Sequence, residues 1–132
     1  MFNLNDRYIN SSGDFVLSGV QAIVKLSLLQ KELDKKDGLN TAGYVTGYRG
    51  SPLGTVDREF TSQRDLLTKN NITFHPSINE DIAVATLQGT QQLGIVSKPT
   101  VDGVFGFWYG KGPGVDRSGD QFNHTSFFGT FN

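Results

Sequence analysis

The spacing of apolar and polar positions divides the chain into helical and extended segments. Apolar residues from Val20 to Leu33 recur about every 3.6 positions, which predicts an amphipathic helix that continues through a polar turn and stops at Gly38. Short β-branched and aromatic runs predict strands at 15–19, 43–48, 72–75 and 101–108. Two further helices are predicted between the later strands, at 55–69 and 79–93.

This order of strands and helices predicts an α/β fold with a parallel sheet and helical crossovers. Residues 1–132 are predicted to form one domain. Ligands bind beyond the carboxyl ends of the strands in such sheets, so the candidate loops are 47–54, 76–80 and 109–120. The chain ends in the apolar sequence FFGTFN. Both faces of a parallel sheet must be covered by other elements, and the predicted elements are too few to do so. We therefore predict that the chain is a fragment whose domain is incomplete at the C-terminus.

Glycine is the unusual component of the composition. The chain contains 16 glycines in 132 residues, about 12% where about 7% is usual. Ten of them fall in the windows 43–54 and 103–119, both at the ends of predicted strands. Glycine lets a backbone approach a ligand closely, although tight turns explain either window alone. Two such windows at one edge of a sheet favour a ligand site.

Charge and cysteine content exclude several classes of function. A formal net charge of −1 gives no electrostatic support for binding nucleic acid or an anionic membrane. The chain has no cysteine, which excludes disulfides, thiolate-held iron–sulfur clusters and a cysteine nucleophile. The apolar stretch 20–29 is interrupted by polar residues, and the first ten residues do not resemble a signal peptide. A cytoplasmic location is therefore predicted.

Candidate chemistry is concentrated near the strand ends. Glu80 follows the N-cap residue Asn79. A carboxylate at a helix start commonly does no more than interact favourably with the helix dipole, but this one is predicted at the edge of the sheet where ligands bind. Arg49 and Arg117 are the cations nearest the glycine-rich loops, and either could hold a carboxylate or remain in a surface ion pair. Neither phosphate-loop spacing nor a metal-binding pattern around the two histidines is present.

Three segments together resemble a known family. They are GYRGSPLGTVD (47–57), NED (79–81) and YGKGPGVDRSGD (109–120). They resemble the N-terminal region of indolepyruvate ferredoxin oxidoreductases, which belong to the thiamine-diphosphate-dependent 2-oxoacid:ferredoxin oxidoreductase family. The similarity runs over nearly the whole chain, and it implies the pyrimidine-binding domain of the thiamine diphosphate fold.

The resemblance also implies roles for individual residues. Glu80 matches the glutamate that hydrogen-bonds N1′ of the cofactor's aminopyrimidine, where a carboxyl group favours the imino tautomer that activates thiazolium C2. The loop of Gly50, Ser51 and Pro52 matches a wall of the substrate side, where Ser51 would hydrogen-bond substrate or cofactor. The expected contacts to the substrate carboxylate are Arg49, Lys111 and Arg117, with the choice among them open.

The implied reaction is oxidative decarboxylation of an aryl 2-oxoacid to an acyl-coenzyme A, with electrons passed to ferredoxin. Its partners would be a diphosphate-binding domain, ferredoxin and coenzyme A, in a homodimer or a pair of domains. The chain lacks the GDG motif and downstream Asn that hold magnesium and diphosphate, and it lacks cluster-binding cysteines. We therefore expect the isolated chain to be inactive. The alternative is a non-catalytic α/β binding or interaction module with the same fold.

Overall fold

The computed structural model describes residues 5–10 and 12–129, which form three strands and eight helical segments. The strands are β1 (Thr41–Tyr48), β2 (Ile72–Ser77) and β3 (Gly103–Tyr109). The helices are α1 (Asp6–Ile9), α2 (Gly19–Lys36), α3 (Gly54–Ser62), α4 (Arg64–Lys69), α5 (Glu80–Gln91), α6 (Leu93–Val96), α7 (Gly112–Arg117) and α8 (Gly119–Phe128).

The sheet is parallel throughout, with β1 at the centre between β2 and β3. The predicted α/β class with a parallel sheet is therefore confirmed. In the register of the sheet, Gly47 of β1 lies beside Pro76 of β2 and Tyr109 of β3. All three strands thus end at the same level, and the loops that follow them leave from one edge.

The two faces of the sheet are covered by different helices. On one face, α2, α3 and α4 enclose the main core, which is centred on the fully buried Phe60. The ring of Phe60 lies 5.2 Å from that of Phe74 and 6.3 Å from that of Tyr109, and both pairs are stacked. On the other face, α5 packs on β1 and β3 through its buried residues Ala83 and Val84, and α7 and α8 pack on α5.

Helix α2 confirms the predicted amphipathic helix and begins with a capping box. The Ser18 side chain accepts a hydrogen bond from the Gln21 backbone N–H at 3.3 Å, and the Gln21 side chain accepts one from the Ser18 N–H at 3.0 Å. These reciprocal bonds satisfy two amides that a helix start leaves unpaired. The helix ends just before Gly38, whose φ of +82° is a conformation that glycine tolerates best.

A buried lysine ties α2 to the segment before it. Lys25 is only 5% exposed, and its ammonium group donates hydrogen bonds to the carbonyl oxygens of Arg7 and Asn10 at 2.8 and 2.5 Å. The same ammonium group lies 4.0 Å from the centre of the Phe15 ring, in a cation–π contact. Burial lowers the pKa of Lys25, because removing water disfavours the charged form.

The predicted strand at 15–19 is wrong. Residues 14–18 have no regular structure and no sheet partner, and Gly19 already begins α2. The ring of Phe15 rests on Lys25, while Val16 is 95% exposed. An apolar run forms a strand only where a neighbouring strand pairs with its backbone. Residues 15–18 have no such neighbour in the described part of the chain, and Phe15 packs through its side chain alone.

The predicted helix at 55–69 is divided into α3 and α4 at Gln63, whose φ of −101° lies outside the helical range. Strand β2 continues past its predicted end at His75 to Ser77 and includes Pro76. Because β2 is an edge strand, the missing amide hydrogen of the proline leaves no partner unsatisfied.

The predicted long loop at 109–120 is also wrong, because most of it is helical. Helix α7 covers Gly112–Arg117, and α8 starts at Gly119. Pro113 lies in the first turn of α7, where its fixed φ suits a helix and its missing amide hydrogen costs nothing. Two of the six residues of α7 are glycines, and the low helix propensity of glycine is why the sequence predicts a loop here. Of the apolar C-terminal sequence behind the fragment prediction, residues 130–132 lie outside the described residues.

Candidate functional site

The crevice between β1 and β3, at their carboxyl ends, has the topology of a ligand site. The chain leaves β1 towards α3, which belongs to the core face of the sheet. It leaves β3 towards α7, which packs on α5 on the opposite face. Neighbouring parallel strands whose connections diverge in this way form a topological switch point, where open α/β sheets bind their ligands. The segments 49–53 and 110–111 leave the sheet at this crevice.

Glu80 is the first residue of α5 and lies next to the end of β3. Asn79 caps the helix by accepting a hydrogen bond from the Ile82 N–H at 2.8 Å. The indole N–H of Trp108 donates to the backbone oxygen of Glu80 at 3.4 Å, which joins the helix start to β3. The Glu80 side chain is half-buried, and no residue in the described part of the chain gives its carboxylate a hydrogen bond or an ion pair.

Two glycines make room for this carboxylate. A Cβ atom on the buried Gly114 would overlap the carboxyl group of Glu80. One on Gly110 would lie 2.8 Å from Cη2 of Trp108 and 2.9 Å from Glu80 Cγ. Separations this small are not tolerated by carbon atoms that are not bonded, so a side chain at either position would displace its neighbours, and at Gly114 the displaced group is the Glu80 carboxyl group.

The next residue along α5 holds α7 in place. Arg117 forms an ion pair with Asp81 at 2.5 Å, and the hydroxyl of the buried Ser118 donates to the other carboxylate oxygen at 3.2 Å. The Arg117 side chain is 70% exposed, so the ion pair itself contributes little stability, about 0–1 kcal/mol. Its effect is geometric, because it fixes α7 against the first turn of α5.

The structure places the predicted site residues in two groups. Glu80 and Arg117 both lie where α5 meets α7, although the guanidinium group of Arg117 is occupied by Asp81. The others lie on the segments that leave β1 and β3 at the crevice. Arg49, Ser51, Pro52 and Lys111 are exposed, and Gly50 is half-buried against the ring of Tyr48.

The sequence interpretation did not single out Asp57 and Tyr109 as partners. Tyr109 ends β3 and donates its hydroxyl hydrogen to the Asp57 carboxylate of α3 at 3.1 Å, with both residues buried. Asp57 is the last residue of the segment 47–57, so this motif contains a residue with a structural role in addition to its glycines. This buried bond fastens the start of α3 to the end of β3, directly below the crevice.

The Tyr109–Asp57 bond predicts a loss of stability in alkaline solution. Burial, then the charge and hydrogen bond of Asp57, raises the pKa of Tyr109 well above its usual value of about 10. Between about pH 10 and this raised pKa, folded Tyr109 keeps a proton that the unfolded chain has lost. The free energy of unfolding therefore falls as the pH rises through that window, which urea titrations at pH 8 and 11 would measure.

The matched variant is Tyr109→Phe, which should lower stability at pH 8 by about 1–3 kcal/mol, because it leaves the buried Asp57 without its donor. It should also show a smaller alkaline loss than the wild-type chain. Tyr8, whose pKa burial and the Glu59 hydrogen bond also raise, would retain part of that loss. Equal alkaline losses in the two proteins would contradict the assignment to Tyr109.

Neither histidine shows the surroundings of a metal ligand. His75 stacks on Tyr44 with the ring centres 6.3 Å apart, and His124 lies 3.5 Å from Asp120 one helical turn earlier. Within residues 5–10 and 12–129, no three His, Cys, Asp or Glu side chains come together as a metal site would require. None of the helices in this part of the chain is both long and apolar enough to cross a bilayer.

Comparison with known proteins adds nothing to this geometry. No protein-family model, no curated protein and no solved structure matches the chain.

Proposed function

We propose that this chain is the pyrimidine-binding portion of an indolepyruvate ferredoxin oxidoreductase of the thiamine-diphosphate-dependent family. One observation carries the proposal. The half-buried carboxylate of Glu80 has no partner among the described residues, and it lies beside the crevice at the carboxyl ends of β1 and β3. A partly desolvated carboxylate favours a hydrogen-bond donor, and a ring nitrogen of an aminopyrimidine that carries a proton is such a donor.

The residues present fit one half of thiamine diphosphate. Glu80 would accept a hydrogen bond at N1′ and hold a proton there, and Gly110 and Gly114 leave the space that its side chain occupies. When bound, the cofactor supplies the electron sink for decarboxylation of a 2-oxoacid. Magnesium, the diphosphate and the iron–sulfur clusters would be held elsewhere in the enzyme, with a diphosphate-binding domain facing this one.

On the substrate side, the exposed cations at the crevice are the candidates for the 2-oxoacid carboxylate. Arg117 is already engaged by Asp81, which favours Arg49 and Lys111, because neither forms an ion pair with another described residue. Ser51 lies on the same loop as Arg49 and would donate a hydrogen bond, while Gly50 and Pro52 shape that loop. The proposed partners remain ferredoxin and coenzyme A, in a cytoplasmic enzyme with paired domains.

Cofactor binding gives the direct test. Calorimetric titration of thiamine diphosphate and magnesium into the chain, together with its diphosphate-binding domain, should show binding that Glu80→Gln weakens. Turnover of indolepyruvate, measured by reduction of ferredoxin, tests the activity itself. Absence of cofactor binding in the presence of that domain would overturn the proposal and favour the non-catalytic α/β module.

A further inference from the structure

Helix α7 shapes the surroundings of Glu80 through one residue in particular. Gly114 is buried, and a Cβ atom at its position would coincide with the space taken by Glu80 Cγ, Cδ and Oε1. A side chain at position 114 would therefore displace the carboxyl group. The overlap involves the functional end of Glu80 and not its aliphatic stem alone.

The other glycines of α7 and α8 provide a contrast within the same structure. A Cβ atom on Gly112 or on Gly119 would meet no other atom within 4 Å. Alanine is favoured over glycine in a helix by about 1 kcal/mol, so helix formation gives no reason for glycine at these positions. Of these three glycines, only Gly114 would bring a Cβ atom onto a tertiary neighbour, and that neighbour is the Glu80 carboxyl group.

Helix α7 is also prevented from moving away. Arg117 and Ser118 both bind the Asp81 carboxylate, which is adjacent to Glu80 in the first turn of α5. The backbone N–H of Ser118 donates to the Gly114 carbonyl oxygen at 3.0 Å, so the anchored end of the helix is bonded to the glycine itself. A shift of α7 would break these bonds, whereas the Glu80 carboxyl group can rotate, so a side chain at position 114 should displace Glu80 and not α7.

We propose that Gly114 is a positioning residue for Glu80. Its missing side chain leaves the space that the Glu80 carboxyl group occupies, so that the carboxylate can face the aminopyrimidine, and the Asp81 bonds hold Gly114 there. This inference rests on the function proposed above for Glu80. The site would then need two residues, the carboxylate of Glu80 and the glycine at position 114 that leaves space for it.

The test compares Gly114→Ala with its matched control Gly112→Ala in the complete chain. The readout is the carboxyl carbon resonance of Glu80 in an NMR spectrum, and Glu80→Gln identifies that resonance by removing it. We expect Gly114→Ala to shift the resonance, because the new side chain displaces the Glu80 carboxyl group. Gly112→Ala should leave the resonance unchanged and should not lower the urea midpoint.

A double-mutant cycle keeps the test decisive if Gly114→Ala alone folds poorly. Truncation by Glu80→Ala removes the atoms that a side chain at 114 would meet, so Gly114→Ala should raise the urea midpoint more in the Glu80→Ala background than in the wild type. An unmoved Glu80 resonance in Gly114→Ala would overturn the proposal. So would an equal change of midpoint with and without the Glu80 side chain.

Cofactor titration separates this inference from the proposed function. Gly114→Ala should weaken thiamine diphosphate binding at least tenfold relative to Gly112→Ala, when the diphosphate-binding domain is present. If the Glu80 resonance moves but the wild-type protein binds no thiamine diphosphate, the proposed function fails and the packing of Glu80 on Gly114 stands. If binding is normal and the resonance is unmoved, the positioning role fails and the function stands.

Discussion

Replacement of Glu80 by glutamine is expected, on the function proposed above, to lower turnover by about 10²–10⁴-fold, the usual contribution of a positioned acid–base group. Glutamine occupies nearly the same volume, so the hollow beside Gly110 and Gly114 should still be filled. The amide, however, cannot exchange a proton with a ring nitrogen. Steady-state reduction of ferredoxin with indolepyruvate as substrate would measure the effect.

The control for this prediction is Asp116→Asn, which makes the same change from acid to amide at an exposed position of α7. It should turn over as the wild type does. Equal thermal unfolding of all three proteins would show that the loss in Glu80→Gln is chemical. Near-normal turnover in Glu80→Gln would remove Glu80 from the mechanism, whatever the fold of the chain.

The elements that the sequence predicted are those with a strong periodic signal of their own. Helix α2 has a regular apolar stripe and a capping box, and β1 has a run of β-branched and aromatic residues. Helix α5 was located from Asn79, which does cap it. In these segments the local conformational preference of the chain agrees with the tertiary packing, so the sequence pattern alone was sufficient to predict the element.

The errors arise where a distant contact decides the structure. Residues 15–19 have the composition of a strand, but Phe15 packs on Lys25 and no strand is available as a partner. Helix α7 has the composition of a loop, yet Gly114 lets it approach α5 at Glu80, and Asp81 fixes its end through Arg117. Neither contact is visible in the local sequence.

The candidate site was predictable to the same degree. The position of Glu80 at the carboxyl edge of the sheet followed from the alternation of strands and helices along the chain and from the cap at Asn79, and the shared register of β1, β2 and β3 places their ends together. The enclosure of Glu80 by Gly110 and Gly114 did not follow, because a glycine in a sequence does not reveal which side chain needs its space. Only the packing of α7 on α5 supplies that pairing.

A second large effect is expected from Gly47→Ala, this time on stability. Gly47 is buried in the central strand, and a Cβ atom there would overlap the backbone oxygen of Tyr109 and lie 2.6 Å from its Cγ. The oxygen belongs to the neighbouring strand β3, so it cannot move without disturbing the pairing of β1 with β3. Overpacking of this kind costs about 1–3 kcal/mol, and contact with backbone places this variant at the upper end, about 3 kcal/mol.

Gly103→Ala is the matched control, because Gly103 lies in the same sheet and a Cβ atom on it would meet nothing within 4 Å. Urea unfolding should show this control to be at least as stable as the wild type, while Gly47→Ala loses about 3 of the 5–15 kcal/mol typical of a folded domain. The same substitution would press on Tyr109 and so on its bond to Asp57 below the crevice. If the two variants unfold at the same urea concentration, the close packing of β1 on Tyr109 is not what requires glycine at position 47.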